Sequence, residues 1–372
     1  FYLFRPEAAG NEHYLQWQSL PNIFPVNSVG IVTARDNVVI QDSVQDVLVA
    51  VNRYISCDLH AAKSVYKLKT KAQEVKFQKI QSSIASSDLI DNNVKPILIQ
   101  PFSNRYIFFS GNKNKLLERS RFEIMKHMLQ DNLGLVINKR EEMNIPWGHV
   151  FVTNTIVEHV ALSPKTISYL FPLYLYPDEH KDDIFASDER EYNIASGLLG
   201  QFSRQWPQFR PEQLFYYVYA VLHSNRYRQR FAQYLRMDFP RIPFTDDYEL
   251  FGLLAGYGKE LADIHLLKSP RLNTPIAKYQ GSGSNDLVEF IKYEDKSIVQ
   301  INPDKHFEGI TPELWNYHIG GYQVLHKYLK DRKGKTLANP IHYCRMATAL
   351  ALTIQMRGDI DRVIVSILPA AK

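Results

Sequence analysis

Residues 149–177 read HVFVTNTIVEHVALSPKTISYLFPLYLYP, the stretch that most restricts the fold. β-Branched and aromatic residues crowd three runs, 150–152, 156–160 and 169–176, and suit a pleated, half-buried surface better than a helix. Successive strands without long helices between them predict an antiparallel or mixed sheet. Further strands are predicted at 96–100 and 106–109, around a turn at Ser103 and Asn104, and at 133–137. Shorter β-type runs at 2–4, 23–26 and 29–32 are interrupted by prolines and Gly30.

Helical spacing appears elsewhere. Residues 43–54 form one apolar face, with Asp42 or Ser43 as cap, and 61–80 read as an amphipathic helix rich in lysine. A solvated lysine face is the first meaning of the latter, with nucleic-acid backbone contact or domain docking second. Helices are also predicted at 122–129, 194–202, 248–267 and 343–356. In 214–243, Leu214, Phe215, Tyr217, Val218, Val221 and Leu222 line a buried helical face. His223, Ser224 and Asn225 then supply capping chemistry, and Arg226, Arg228 and Arg230 place guanidiniums at a surface edge. Such an edge suits either a phosphate- or protein-contacting rim or a solvated helix end. Residues 177–190 read as an acidic surface loop, 270–285 as a linker or mobile loop, and 287–301 as a hairpin. The predicted class is α+β, a mixed or antiparallel β-rich part with packed helices and a helical C-terminal part.

A hydrophobic content of 45% over 372 residues supports a large core, and 22 Tyr with 20 Phe serve packing first and base stacking second. The net charge of +5 is too small to identify a polyanionic partner without local clustering. Two cysteines exclude a disulfide framework and a cysteine-rich zinc site, and a reducing cytoplasm is the economical expectation. No apolar run approaches the ~20 residues of a membrane span. The first residues already read as a strand, so a piece of a larger polypeptide is expected. There is no G-x-x-x-x-G-K-[ST] loop, no G-x-S-x-G elbow and no H-E-x-x-H, and GSGSND at Gly281 lacks the flanks of a dinucleotide fingerprint. His149 and His159 are read as structural, no metal ligands are assigned, and Asp246 and Asp247 as a helix cap. The N/D-P-P-Y/F tetrapeptide of amino-group methyltransferases is absent, and catalysis by this chain alone is not expected.

Several segments in order carry a family resemblance: NIFPVNSVGIVTARD, PFSNRYIFFS, NLGLVINKR, the 149–177 stretch, 214–243 and HIGGYQVLHKYLKDRKGK. The chain resembles the C-terminal specificity region of type ISP restriction-modification enzymes and related single-chain adenine methyltransferases. It departs where an FDNR-like turn appears as Phe102-Ser103-Asn104-Arg105. The resemblance implies a module that reads double-stranded DNA for adenine-N6 methylation and cleavage carried out by other domains. It also implies a methyltransferase domain on the same polypeptide that takes S-adenosylmethionine, with no cofactor in this chain. On that reading 1–95 is a junction segment, 96–270 the target recognition domain and 271–372 a hairpin and helices completing it. Arg119, Arg121, Lys126, Lys327, Lys330, Arg332 and Lys333 would hold phosphates. Asn138, Arg140, Asn154, Lys165, Asn225 and Arg226 would read base edges. Arg105 and the 319–323 glycine turn are as readily structural as DNA-contacting. The alternative function is a non-catalytic protein-interaction or scaffold module; a metal-dependent nuclease would need an acidic cluster not evident in the sequence.

Overall fold

After a short helix at Leu20–Ile23 come strands β1 (Ser28–Val29) and β2 (Ile40–Gln41) and helix α1 (Val44–Ser56) of a computed structural model that describes residues 12–84, 88–89, 91–111, 115–177, 190–294 and 296–368. The strand expected at 2–4, Lys113 and nearly all of the acidic 177–190 segment lie outside the described residues. Ser43 caps α1 by accepting from the Asp46 amide, and Val47, Val51 and Tyr54 are its buried face.

The single basic helix expected over 61–80 is two helices, α2 (Leu59–Val65) and α3 (Lys71–Gln81). Lys67 takes φ 53°, a left-handed geometry that ends a helix, and Thr70 with Gln73 forms a reciprocal capping box that starts the next. The Tyr54, Tyr66 and Phe77 rings pack together at the bend, with centroids 4.9 Å apart for Tyr54–Tyr66 and Tyr54–Phe77.

The hairpin of β3 (Val94–Gln100) and β4 (Ser103–Phe108) turns at Pro101 and Phe102, not at Ser103 and Asn104, because Phe102 supplies the positive φ of 61°. Strands β5 (Gly134–Asn138), β6 (Val150–Thr153), β7 (Ile156–Val157) and β8 (Ser168–Pro172) follow. They are shared between two sheets. One has the order β1-β8-β5-β6 and is wholly antiparallel; the other, β2-β4-β3-β7, is antiparallel except for β3 beside β7. Every residue of β5 is buried, as suits a central strand covered on both faces.

Helices α4 (Ser196–Gln205), α5 (Pro211–His223), α6 (Asn225–Arg230) and α7 (Tyr248–His265) form the helical layer. Ser224 ends α5 and caps α6, accepting from the Tyr227 amide, while Asp247 accepts from the Glu249 and Leu250 amides to start α7. The expected linker at 270–285 instead holds β9 (Lys278–Gly281), the edge of a third sheet completed by β10 (Lys292–Glu294), β11 (Ile298–Gln300) and β12 (Lys305–Glu308). Its polar side chains face solvent while its backbone pairs with β12, which makes an edge strand look like a loop in sequence. Helix α8 (Val324–Lys330) precedes α9 (Pro340–Ile364), which is longer than the predicted 343–356 at both ends; Asn339 caps it and Pro340 stands in its first turn.

One hydrophobic core cluster runs from Tyr14 to Ile364 and takes in residues of the three four-stranded sheets and the helical layer. The fold is α+β, and no described helix is long and apolar enough to cross a membrane.

Candidate nucleic-acid interface

Arg119 and Arg121 stand in a surface groove of 610 Å³. Arg119 is fixed by a backbone exchange with Val32, its amide bonding Val32 O at 2.9 Å and its carbonyl accepting from the Val32 amide at 3.0 Å. Lys76 and Lys115 join them, giving four cations against the two carboxylates of Glu118 and Glu123. Lys76 binds Glu118 at 2.7 Å, and Lys126, placed among the phosphate contacts by sequence, lies 3.5 Å from Glu123. The excess positive charge therefore rests with Lys115 and the two guanidiniums, which match phosphate in a bidentate fork.

Four of the expected base readers, Asn138, Arg140, Lys165 and Asn154, divide between the two ends of β5 and β6. Asn138 is a correction: it is 0% exposed, its amide donates to Thr166 Oγ1 at 2.6 Å, and it accepts from Ser168 Oγ at 2.8 Å. It ties β5 to the start of β8 and cannot reach a base. Asn138→Ala is expected to cost about 2 kcal/mol by orphaning buried partners. It should leave DNA preference intact at temperatures where the variant is folded; a shifted preference with unchanged urea midpoint would refute this.

Beyond Asn138, Lys139 is bound to Asp238 (3.6 Å) and lies over Phe239. Arg140 is exposed, and the Asn138–Ser168 register brings it to the same end as exposed Lys165. Asn154 is exposed in the turn between β6 and β7, at the opposite end of a strand about 13 Å long. The two sets cannot share one base pair.

Asn225 and Arg226 open α6, where Asp361 of α9 accepts from Ser224 Oγ at 2.6 Å and from the Arg226 amide at 3.1 Å. Arg226 is exposed, but Arg228 is a second correction. It is 7% exposed, with Nε on Leu222 O and its guanidinium 5.5 Å from the Trp147 ring centroid. Of the basic edge expected here, the middle arginine is core.

At the tip of α8, Lys330 and Lys333 are exposed. Lys327 instead binds the Asp331 carboxylate (2.6 Å to Oδ2), and Arg332 folds back on Tyr328, its Nη1 donating to Tyr328 O at 3.0 Å and its carbon 3.5 Å from the ring centroid. Burial lowers the Arg332 pKa, so this cation is held at an energetic cost. The 319–323 turn is structural: Gly320 has φ 57°, and a Cβ there would meet Leu162 O at 1.9 Å.

Arg332 and Asn154, distant in sequence, line one cleft of 370 Å³, with Asn104, Lys335, Asn339 and His342 also at its wall. The last four were absent from the expected site. Asn339-Pro340, a cap residue followed by a first-turn proline, is the sequence signal that could have marked this helix start.

Three solved structures share this fold. A nuclease-deletion mutant of the Type ISP restriction-modification enzyme LlaGI, in complex with a DNA substrate mimic, superposes with TM-score 0.66 at 19% identity, over 96% of this chain and 34% of that one. The ATP-dependent Type ISP restriction-modification enzyme LlaBIII bound to DNA gives TM-score 0.70 at 18% identity, over 97% and 24%. A DrdV–DNA complex gives 0.67 at 22%, over 94% and 36%. The chain thus spans between about a quarter and about a third of the length of these proteins. No curated protein matches the sequence. The family model of the Type ISP C-terminal specificity domain matches residues 22–350, and the chain belongs to that family.

Proposed function

We propose that this chain is the DNA target recognition module of a larger Type ISP restriction-modification enzyme, acting on double-stranded DNA in the cytoplasm. The observation that carries this reading is the specificity-domain match over residues 22–350. The cationic groove at Arg119 and Arg121 supports it, as do the DNA-bound structures of the proteins that share the fold. Adenine-N6 methylation and cleavage belong to other parts of the same polypeptide, and S-adenosylmethionine to its methyltransferase part. Arg119, Arg121, Lys330 and Lys333 supply sequence-independent phosphate affinity; Arg140 and Lys165 at one end of the sheet, Asn154 at the other, and Arg226 at the start of α6 supply base contacts.

The test is anisotropy on the intact enzyme with cognate and scrambled duplexes over a salt series. Arg119→Ala and Lys330→Ala should each weaken both duplexes alike and reduce the salt slope by about 1. Arg226→Ala should cost the cognate duplex alone about 1–3 kcal/mol. A salt-insensitive complex with another protein, with no duplex preference, would assign the chain to protein docking instead.

A further inference from the structure

We propose that the 370 Å³ cleft is a subsite for a single nucleotide, its base among Asn104, Asn154 and Asn339 and its phosphate at Arg332 and Lys335. The apolar wall comes from the β3–β4 turn and from β6; three amides, Asn104, Asn154 and Asn339, stand around it. Asn104 and Asn154 are exposed amides that each offer a donor and an acceptor, the pattern that reads a base edge, while Asn339, whose Oδ1 caps α9, keeps its NH2 to donate. The volume lies at the lower end of small-ligand sites, which run from about 300 to 1,000 Å³. A duplex is too wide for it.

The anion end has three independent supports. Arg332 and Lys335 face one carboxylate, Asp42, which is already shared between Lys335 at 2.8 Å and Arg105 at 3.1 Å. The 25-residue helix α9 begins at the wall, where its cap Asn339 and first-turn His342 are found. Ser103, 1% exposed, lines the same cleft with a hydroxyl that has no hydrogen-bond partner. A buried hydroxyl without a partner is costly unless a ligand completes it.

The ligand chemistry is a nucleoside monophosphate, supplied either as a nucleotide extruded from bound DNA or as a free nucleotide. Only the first source rests on the DNA-recognition reading. Two measurements on the full chain separate them: equilibrium binding of deoxyadenosine monophosphate, and fluorescence of duplexes carrying 2-aminopurine at successive positions. Wild-type chain should bind the mononucleotide. Arg332→Met should weaken that binding about tenfold or more, and Asn154→Trp, an exposed position where the indole fills the cleft, should abolish it. Extrusion predicts a several-fold fluorescence rise at one position that both variants lose. Mononucleotide binding lost in the variants, without any rise, supports the subsite with a free nucleotide as ligand. Absence of both mononucleotide binding and a fluorescence rise overturns the subsite, whatever Arg119→Ala does to DNA affinity. If Arg119→Ala leaves DNA affinity untouched while the mononucleotide binds, the subsite stands and the recognition reading falls.

Discussion

Gly258→Ala is expected to destabilise the fold by about 3 kcal/mol or more, although alanine is the better helix former. Gly258 lies in α7 where that helix packs on α5, the most extensively packed pair of elements, and a Cβ there would sit 1.8 Å from the Tyr216 carbonyl oxygen. That atom is helix backbone, so the helices must separate, and Phe251, Leu254, Leu261 and the α5 face Leu214, Tyr217, Val218 and Val221 lose contact together. The same helix carries its own controls. Gly252 and Gly256 have nothing within 4 Å of an added Cβ, so alanine at either should stabilise by up to about 1 kcal/mol from helix propensity. Urea midpoints of the three variants decide it: a Gly258→Ala midpoint at or above wild type would mean α5 and α7 are not in this contact.

Sequence reasoning located α1 and α7 because their apolar spacing and their caps, Ser43 and Asp247, agree. It missed the break between α2 and α3 because the lysine pattern continues across it; the stop is the left-handed Lys67 and the restart is the Thr70–Gln73 box, both local to a few residues. β9 was missed for another reason. Its one packing residue, Tyr279 against Phe307, does not announce in the sequence that β12, more than twenty residues later, pairs with Lys278–Gly281.

The candidate site was less legible than the fold. Asn138 and Arg140, two residues apart, looked alike as strand-end polar residues. Their fates differ because Thr166 and Ser168 close over the first. Arg228 is buried by Trp147 and by the approach of α9, neither of which lies near it in sequence. Arg119 stays at the surface because the long-range exchange with Val32 fixes only its backbone, whereas Arg121 is half-buried. The cleft draws its wall from residues 42, 98–104, 151–154, 265–267 and 328–342, so no local pattern announces it.

Acid should unfold this chain earlier than its carboxylates alone would, through His265 and His223. The His265 ring is 3% exposed: Nε2 donates to Thr353 Oγ1 at 2.8 Å, since that hydroxyl itself donates to Ala349 O, so Nδ1 accepts from the Tyr219 hydroxyl at 2.6 Å. Burial, with the Arg357 and Arg228 charges behind it, pushes the His265 pKa down to about 3. Burial likewise holds His223 well below the ordinary value, aided by Arg228, the neighbouring His265 and Arg357. Both pKa values are lower folded than unfolded, so below about pH 6.5 the unfolded chain binds the extra protons and stability falls as pH falls. The slope approaches about 1.4 kcal/mol per pH unit for each histidine, or roughly 3 kcal/mol for the pair between pH 6.5 and 5, against a total of about 5–15 for a typical domain. His159 acts oppositely. The Glu158 carboxylate outweighs its burial and raises its pKa, so its contribution is complete by pH 6.5 and cannot offset the loss below. Unfolded carboxylates titrate near pH 4, so the window above pH 5 reports mainly on imidazoles. Urea midpoints from pH 7.5 to 5 should therefore drop steeply, with His342 and His326, whose pKa values burial also lowers, adding to the fall, and His265→Gln, which keeps an acceptor and a donor but no proton switch, should make the drop shallower. A midpoint that stays flat across that window would show that the two imidazoles are not held neutral in this core.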